Sequence, residues 1–230
     1  PFEELLEQQT VAWEQWHRER ESRAAAPDLP ARLAAQYRTS AMVLKCHRDK
    51  TFTGAMVASL SVPWGNSGEE RGGYHLVWPR DLVESASALL ALGGEAEARN
   101  VLRYLIATQN TDGHWHQNQW LGGKPYWTGI QLDEAAFPVL LAAALAERGC
   151  LVGVPVRDMV RRALGFLARE GPASPQDRWE EDAGVNVFTV ATGIAALAAG
   201  AELLPEPDAA LACAVADFWN ARLEDWTVAR

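Results

Sequence analysis

Apolar residues recur three and four positions apart along most of this chain, and two kinds of interruption divide the pattern. One is a short turn containing glycine. The other is a long polar and aromatic stretch. Phe2 to Arg23 reads as a first helix, ended by the Pro27–Pro30 segment. Ala31 to Leu44 reads as a second. Residues 46–79 are rich in glycine, with Ala55 to Val62 as the one stretch whose alternation suits an extended strand. Asp81 to Leu92 and Glu95 to Thr108 form a pair of helices around Gly93-Gly94. A polar, aromatic loop follows over 110–131. Asp133 is expected to cap a fifth helix that ends near Gly149. Pro155 to Arg169, Phe188 to Leu204 and Pro207 to Arg222 complete the set, with a second long loop over 171–187. The chain is all-α.

These helices repeat. Asp81, Asp133 and Val187 each open a helix after a long loop, at a period of about 52–54 positions. Helix pairs joined alternately by short and long loops bury their apolar faces by stacking side by side. All the long loops then fall on one rim. Trp78, Trp127 and Trp179 each stand shortly before or at such a junction, so three indoles and several acids are expected at one mouth. At this period 230 residues make about four hairpins, whereas a closed ring of six needs about 300 residues or more. The expected shape is an incomplete arc, with an apolar open face on the last helix pair that offers a route to self-association. We treat residues 1–230 as one portion of a single domain: 1–30 a linker and lead-in helix, 31–230 the hairpin repeats. The chain begins at Pro1-Phe2-Glu3 already in helical pattern and reads as a segment of a longer polypeptide.

Composition narrows the partners. A net charge of −9 with no basic block argues against nucleic acid and anionic membranes. No leader and no membrane-length apolar run is legible, and the compartment stays open. Ten Trp residues suit packing and stacking on sugar rings. Cys46, Cys150 and Cys213 lie far apart and read as buried free thiols. His114-Trp115-His116, beside Gln117-Asn118, reads as polar rim; no metal and no cofactor is implied by any motif.

The candidate chemistry sits in Ser174-Pro175-Gln176-Asp177-Arg178-Trp179-Glu180-Glu181-Asp182-Ala183-Gly184. Two adjacent carboxylates follow an indole, with Asp177 upstream. An aromatic face can shield a carboxyl group and keep it protonated for acid catalysis on sugars. A Trp-Glu-Glu run alone is more often a solvated helix start, and Arg80-Asp81 alone is more often a cap with a salt bridge.

The surroundings change that balance. Four segments occur in order: Arg48 to Ala55 with Ser59-Leu60-Ser61-Val62-Pro63-Trp64-Gly65, Gly73-Tyr74-His75-Leu76-Val77-Trp78-Pro79-Arg80-Asp81, Gln117 to Trp120 with Tyr126 to Glu134, and the Trp-Glu-Glu run. Together they make the chain similar to glycoside hydrolase family fifteen, which includes glucoamylases, glucodextranases and some bacterial trehalases. The resemblance implies an (α/α)6 barrel and an exo-acting, inverting α-glucosidase acting on α-linked glucose oligosaccharides or polysaccharides. It implies that Glu180 is the general acid; the residues by themselves do not rank Glu180 against Glu181. It implies supporting roles for Glu181 and Asp177, a grip on the terminal glucose by Arg80 and Asp81, and pocket walls at Trp78, Trp127 and Trp179. The packing of Trp179 is expected to help hold Glu180 neutral. In the family the catalytic base is a Glu far downstream, and no matching segment occurs before Arg230. His116 stands where relatives tend to have Pro, and Val185-Asn186-Val187 replaces Tyr-Ser-Pro. The alternatives are a trehalase or glucodextranase of the same family, and a non-catalytic carbohydrate-binding or interaction arc.

Overall fold

A computed structural model describes residues 1–24, 28–60 and 73–228. The expected break at Pro27, the Ser61–Gly65 part of the first motif, and Gly68 and Gly72 lie outside the described residues. The described chain runs α1 (Phe2–Arg23), α2 (Ala31–Cys46), α3 (Pro79–Ala91), α4 (Glu95–Thr108), β1 (Asn118–Gln119), β2 (Pro125–Trp127), α5 (Leu132–Glu147), α6 (Arg157–Glu170), α7 (Val187–Ala201) and α8 (Asp208–Thr227).

Helices α3, α5 and α7 lie side by side, and α4, α6 and α8 pack on them as partners within each hairpin. The residues explain the layering. Eleven of the sixteen residues of α5 are buried, from Leu132 through Ala136 and on to Leu145, as befits an inner helix. In α6 burial is confined to Met159, Val160, Ala163, Leu164, Phe166 and Leu167, one stripe of an outer helix. Gly200 lets α7 approach closely: a Cβ there would come within 2.6 Å of Val139 Cγ1 on α5. Gly193 seats the Trp219 indole of α8 in the same way, at 2.7 Å.

At the other end, α1 is tied to the α3–α4 turn. Trp16 Nε1 donates to Glu97 Oε1 at 2.8 Å, and Arg20 donates to the Leu92 carbonyl. Lys45 of α2 lies 4.5 Å and 4.4 Å from the Trp13 and Trp16 rings, joining α2 to α1. On α8, Leu211 and Phe218 are exposed, as are Phe2, Leu5, Leu6 and Val11 on α1.

Several boundaries differ from the periodicity. Helix α3 starts two residues early because Pro79 fits the first helical position, where its missing N–H costs nothing. Helix α8 continues to Thr227. Asp133 does not cap α5: the N-cap is Gln131, and Asp133 lies buried in the first turn. Residues 55–60 form only isolated pairings, such as Arg48 with Met56. The 110–131 loop holds the β1–β2 hairpin, whose strands are too short to show as alternation. The three cysteines are free, but only Cys150 is buried. Cys46 closes α2 and Cys213 lies on α8, both exposed.

Candidate active site on the long-loop rim

The Glu180 turn is built by its own backbone and by Asp177. Ser174 and Gly184 exchange two backbone hydrogen bonds of 2.9 Å and close the loop at its base. Inside it, Asp177 N donates to the Asp182 carbonyl and Glu180 N to the Asp177 carbonyl. Asp177 Oδ1 accepts from Trp179 N at 2.9 Å and from Glu181 N at 3.1 Å. Those amides, Glu181's foremost, hold the Asp177 carboxyl below its ordinary value. Within this turn Glu180 adopts φ 69°, the single positive φ at a non-glycine among the described residues. A left-handed conformation at such a residue costs about 1–2 kcal/mol and persists where the surroundings enforce it. The loop is anchored from below by Ser174 Oγ, which accepts from Leu132 N of α5 at 3.1 Å and donates to the Gln176 carbonyl at 2.6 Å.

Trp78 arrives from another part of the chain. Val77 and Gln119 exchange backbone hydrogen bonds of 2.8 and 3.0 Å, which brings the start of α3 beside the β1–β2 hairpin. The buried Trp78 indole then donates Nε1–H to Glu180 Oε1 at 3.1 Å. Its ring centroid lies 5.9 Å from Tyr74 and 6.1 Å from Trp127. Asn118 Oδ1 accepts from Trp127 N at 2.9 Å and fixes the hairpin's half of this cluster. Trp179 stands differently from the expectation that it packs around Glu180. It is 68% exposed and lies over Arg178, whose guanidinium carbon is 4.8 Å from the Trp179 ring and 4.5 Å from Phe188. The indole in contact with the Glu180 carboxylate is Trp78.

Arg80 and Asp81 open α3 directly beneath. Arg80 Nη1 donates to Asp133 Oδ2 at 2.7 Å and to Gln131 Oε1 at 2.8 Å, and lies 3.3 Å from Glu134 Oε1. Desolvation works against the Arg80 charge, but Glu134 and Asp133 outweigh it and hold the guanidinium above its ordinary value. Asp81 keeps an exposed surface, yet crowding by protein raises its carboxyl; Arg80 opposes that rise and Glu180 adds to it. Glu181 is exposed, with its amide committed to Asp177. The turn bearing Asp177, Glu180 and Glu181 is therefore brought together with Trp78, Arg80, Asp81 and Trp127, while the Trp179 ring faces outward.

Sequence reasoning missed Asp133 and Glu134 as part of this cluster, and missed Tyr74 as a neighbour of Trp78. The signal for the acids was present: a charged pair following the apolar Ile130 and Leu132, where a helix begins inside the core. His114 is buried against Phe166, with ring centroids 5.1 Å apart, and its Nδ1 lies 2.7 Å from Asp112. No group of three or more metal-ligating side chains occurs among the described residues.

Comparison with known proteins identifies a family. Residues 32–223 match the family model for Glycosyl hydrolases family 15. A glucoamylase from Clostridium sp. (strain G0005) is 42% identical over 167 residues, covering 72% of this chain and 23% of that protein. A crystal structure of a bacterial glucoamylase complexed with acarbose superposes with a TM-score of 0.74 at 38% identity, over 82% of this chain and 28% of that one. A wild-type glycosidase shares the fold at a TM-score of 0.63 and 18% identity, over 87% of this chain and 60% of that one. The chain thus spans about a quarter of the length of the two glucoamylases it matches.

Proposed function

This chain belongs to glycosyl hydrolase family 15, and from that premise we propose that it forms part of an inverting, exo-acting α-glucosidase of glucoamylase type. The observation that carries the reading is the Trp78 indole on the Glu180 carboxylate, in a turn whose backbone is held left-handed to present that side chain. Such presentation suits a general acid that protonates the departing glycosidic oxygen.

The other roles follow from position. Asp177 sets the turn by binding its amides, and Glu181 supports it at the exposed side. In the aromatic corner of Trp78 and Trp127, the exposed Trp127 offers its face to a glucose ring and the buried Trp78 backs it, with Trp179 further out. Arg80 and Asp81 grip the terminal glucose. Asp81, open to solvent, takes the larger share of this grip, because Arg80 is committed to the α5 acids. The ligand is an α-linked glucose oligosaccharide or polysaccharide, as the acarbose complex of the bacterial glucoamylase supports.

Inversion needs a second carboxylate roughly 6.5–9.5 Å from the acid, with a water between it and the anomeric carbon. Glu181 is the next residue in the same turn and cannot face Glu180 across a sugar ring. We assign the base to a residue outside these 230.

Glucose release from maltose, isomaltose and trehalose by the intact polypeptide tests the reading and ranks the linkages. The attacked glucose is expected to appear initially as the β-anomer, read by proton NMR; from trehalose, whose leaving glucose departs as α, the two anomers should appear in equal amounts. Glu180→Gln is expected to lower kcat by at least about 10²-fold and to leave binding intact. Initial release of the attacked glucose as the α-anomer, or a Glu180→Gln variant within a few-fold of wild type, would sink the assignment. Maltooligosaccharide binding without turnover would favour the carbohydrate-binding arc instead.

A further inference from the structure

The first turn of α5 carries two adjacent acids, Asp133 and Glu134, that are 0% exposed. The chemistry proposed above uses neither. Both close on Arg80, through Asp133 Oδ2 at 2.7 Å and Glu134 Oε1 at 3.3 Å. The other oxygen of Glu134, Oε2, accepts the backbone N–H of Arg80 at 2.6 Å. That amide belongs to the first turn of α3, where helical amides have no partner within the helix. The α3 N-cap, Trp78, makes no side-chain cap, so Glu134 caps α3 from a different helix.

The far side of the same cluster reaches the catalytic turn. Arg80 Nη2 donates to the Arg178 carbonyl at 3.3 Å, two residues before Glu180. Leu132 N, also in the first turn of α5, holds Ser174 at the base of that loop. One helical turn therefore touches both halves of the site: the start of α3 that carries Trp78, and the loop that carries Glu180. The two halves meet at the Trp78–Glu180 hydrogen bond.

We propose that Asp133 and Glu134 are positioning residues: they hold the start of α3 and the Glu180 turn in one register, and so set where the Glu180 carboxyl stands. The inference rests on the role given to Glu180 above. Repetition of the hairpins does not call for the pair, although Asp81 of α3 stands one repeat before Asp133. The corresponding turn of α7, Val187-Phe188-Thr189, has none. Nor do they favour packing, since an apolar replacement of a buried ionic cluster is often neutral or stabilising. Burial pushes Glu134 well above the usual carboxylate range; Arg80 opposes this, and Asp133 and Asp81 add to it. Glutamine keeps the length of the side chain and an oxygen for the Arg80 amide, so it separates the cap on α3 from the charge.

The test compares Glu134→Leu, Glu134→Gln and Asp133→Asn in the intact polypeptide. Backbone hydrogen exchange over residues 174–184, read by mass spectrometry, reports the turn without reference to activity. Glu134→Leu is expected to speed exchange there at least about tenfold while peptides from α6 and α7 keep their wild-type rates. It is also expected to lower kcat for glucose release about 30-fold with KM within about threefold, as a misplaced reacting group does. Glu134→Gln is expected to stay within about threefold of wild type on every readout, because it retains the oxygen that caps α3. Should Glu134→Leu fail to fold, Asp133→Asn keeps the shape, removes the countercharge of Arg80, and is expected to shift exchange and kcat in the same direction. Unchanged exchange in 174–184 in the folded variants overturns the inference, as does a Gln variant as impaired as the Leu variant. If wild type hydrolyses no α-glucoside, the function proposed above fails, while the exchange data still decide whether these acids position the turn.

Discussion

Arg80→Met removes the cation from two fully buried carboxyl groups and leaves only a shorter apolar stem. In the structure the Arg80 side chain is 11% exposed, and Asp133 and Glu134 are at 0%. Breaking a buried ion pair by deleting one partner costs about 3–5 kcal/mol, because the remaining charge stays desolvated. The cost is counted once, because the two acids share one cation. At the about 2–4 °C per kcal/mol that holds for 150–250 residues, the fall is about 6–20 °C. Urea denaturation followed by far-UV circular dichroism, with Tm by calorimetry, measures both. Arg80→Lys keeps the charge and loses the fork that reaches Gln131, Asp133 and the Arg178 carbonyl together, so its loss should be intermediate. A surface pair beside a helix start would cost about 0–1 kcal/mol. A loss within that range for Arg80→Met would refute the reasoning, because it would mean the two acids find water or another partner once the guanidinium is gone.

Three further outcomes are expected. Trp78→Phe deletes the N–H on Glu180 Oε1, and hydrogen bonds to charged groups contribute about 1.5–3 kcal/mol, so kcat/KM on maltooligosaccharides should fall about 10–150-fold; a change below threefold would contradict it. Asp177→Asn keeps one acceptor for the amides of Trp179 and Glu181 but not the charge, and should lower kcat about tenfold with faster exchange confined to residues 177–182. Glu134 has a folded-state pKa raised above its unfolded value, so its contribution to stability is full below the ordinary glutamate range and is lost as pH rises through the folded value. Glu134→Gln should remove that slope. Denaturation curves from about pH 4 upward, where an ordinary glutamate begins to ionise, should show wild type losing stability relative to the variant. Parallel curves would count against a raised Glu134; Arg80, Asp81 and Asp133 are the charged groups facing it.

Much of the fold was legible because helical burial is a periodic property of the chain. The stripe at Met159, Val160, Ala163, Leu164 and Leu167 marks α6 as an outer helix without reference to anything else. Pro79 and Gly93-Gly94 bracket the helix that brings Trp78 and Arg80 to the rim. The β1–β2 hairpin was not legible. Two and three residues are too few for alternation to register, and its pairing depends on Gln119 meeting Val77 from a distant segment. The exposure of Cys46 and Cys213 was missed for a related reason, since which face of a helix end is covered depends on the neighbouring helices.

The candidate site divides along the same line. By itself the sequence determined which residues are present and that the repeat gathers them on one rim: Trp78, Arg80, Asp81, Trp127 and the Asp177–Glu181 turn. Each belongs to a local motif at a fixed place relative to a helix start. Only the tertiary structure decided which of them touch. It put the Trp78 indole, and not Trp179, on Glu180, and it turned the Asp133-Glu134 pair inward onto Arg80. Local spacing sets the direction of a side chain relative to its own helix. The partner across the gap is set by how helices from different hairpins pack, and here the start of α5 lies between the start of α3 and the loop before α7.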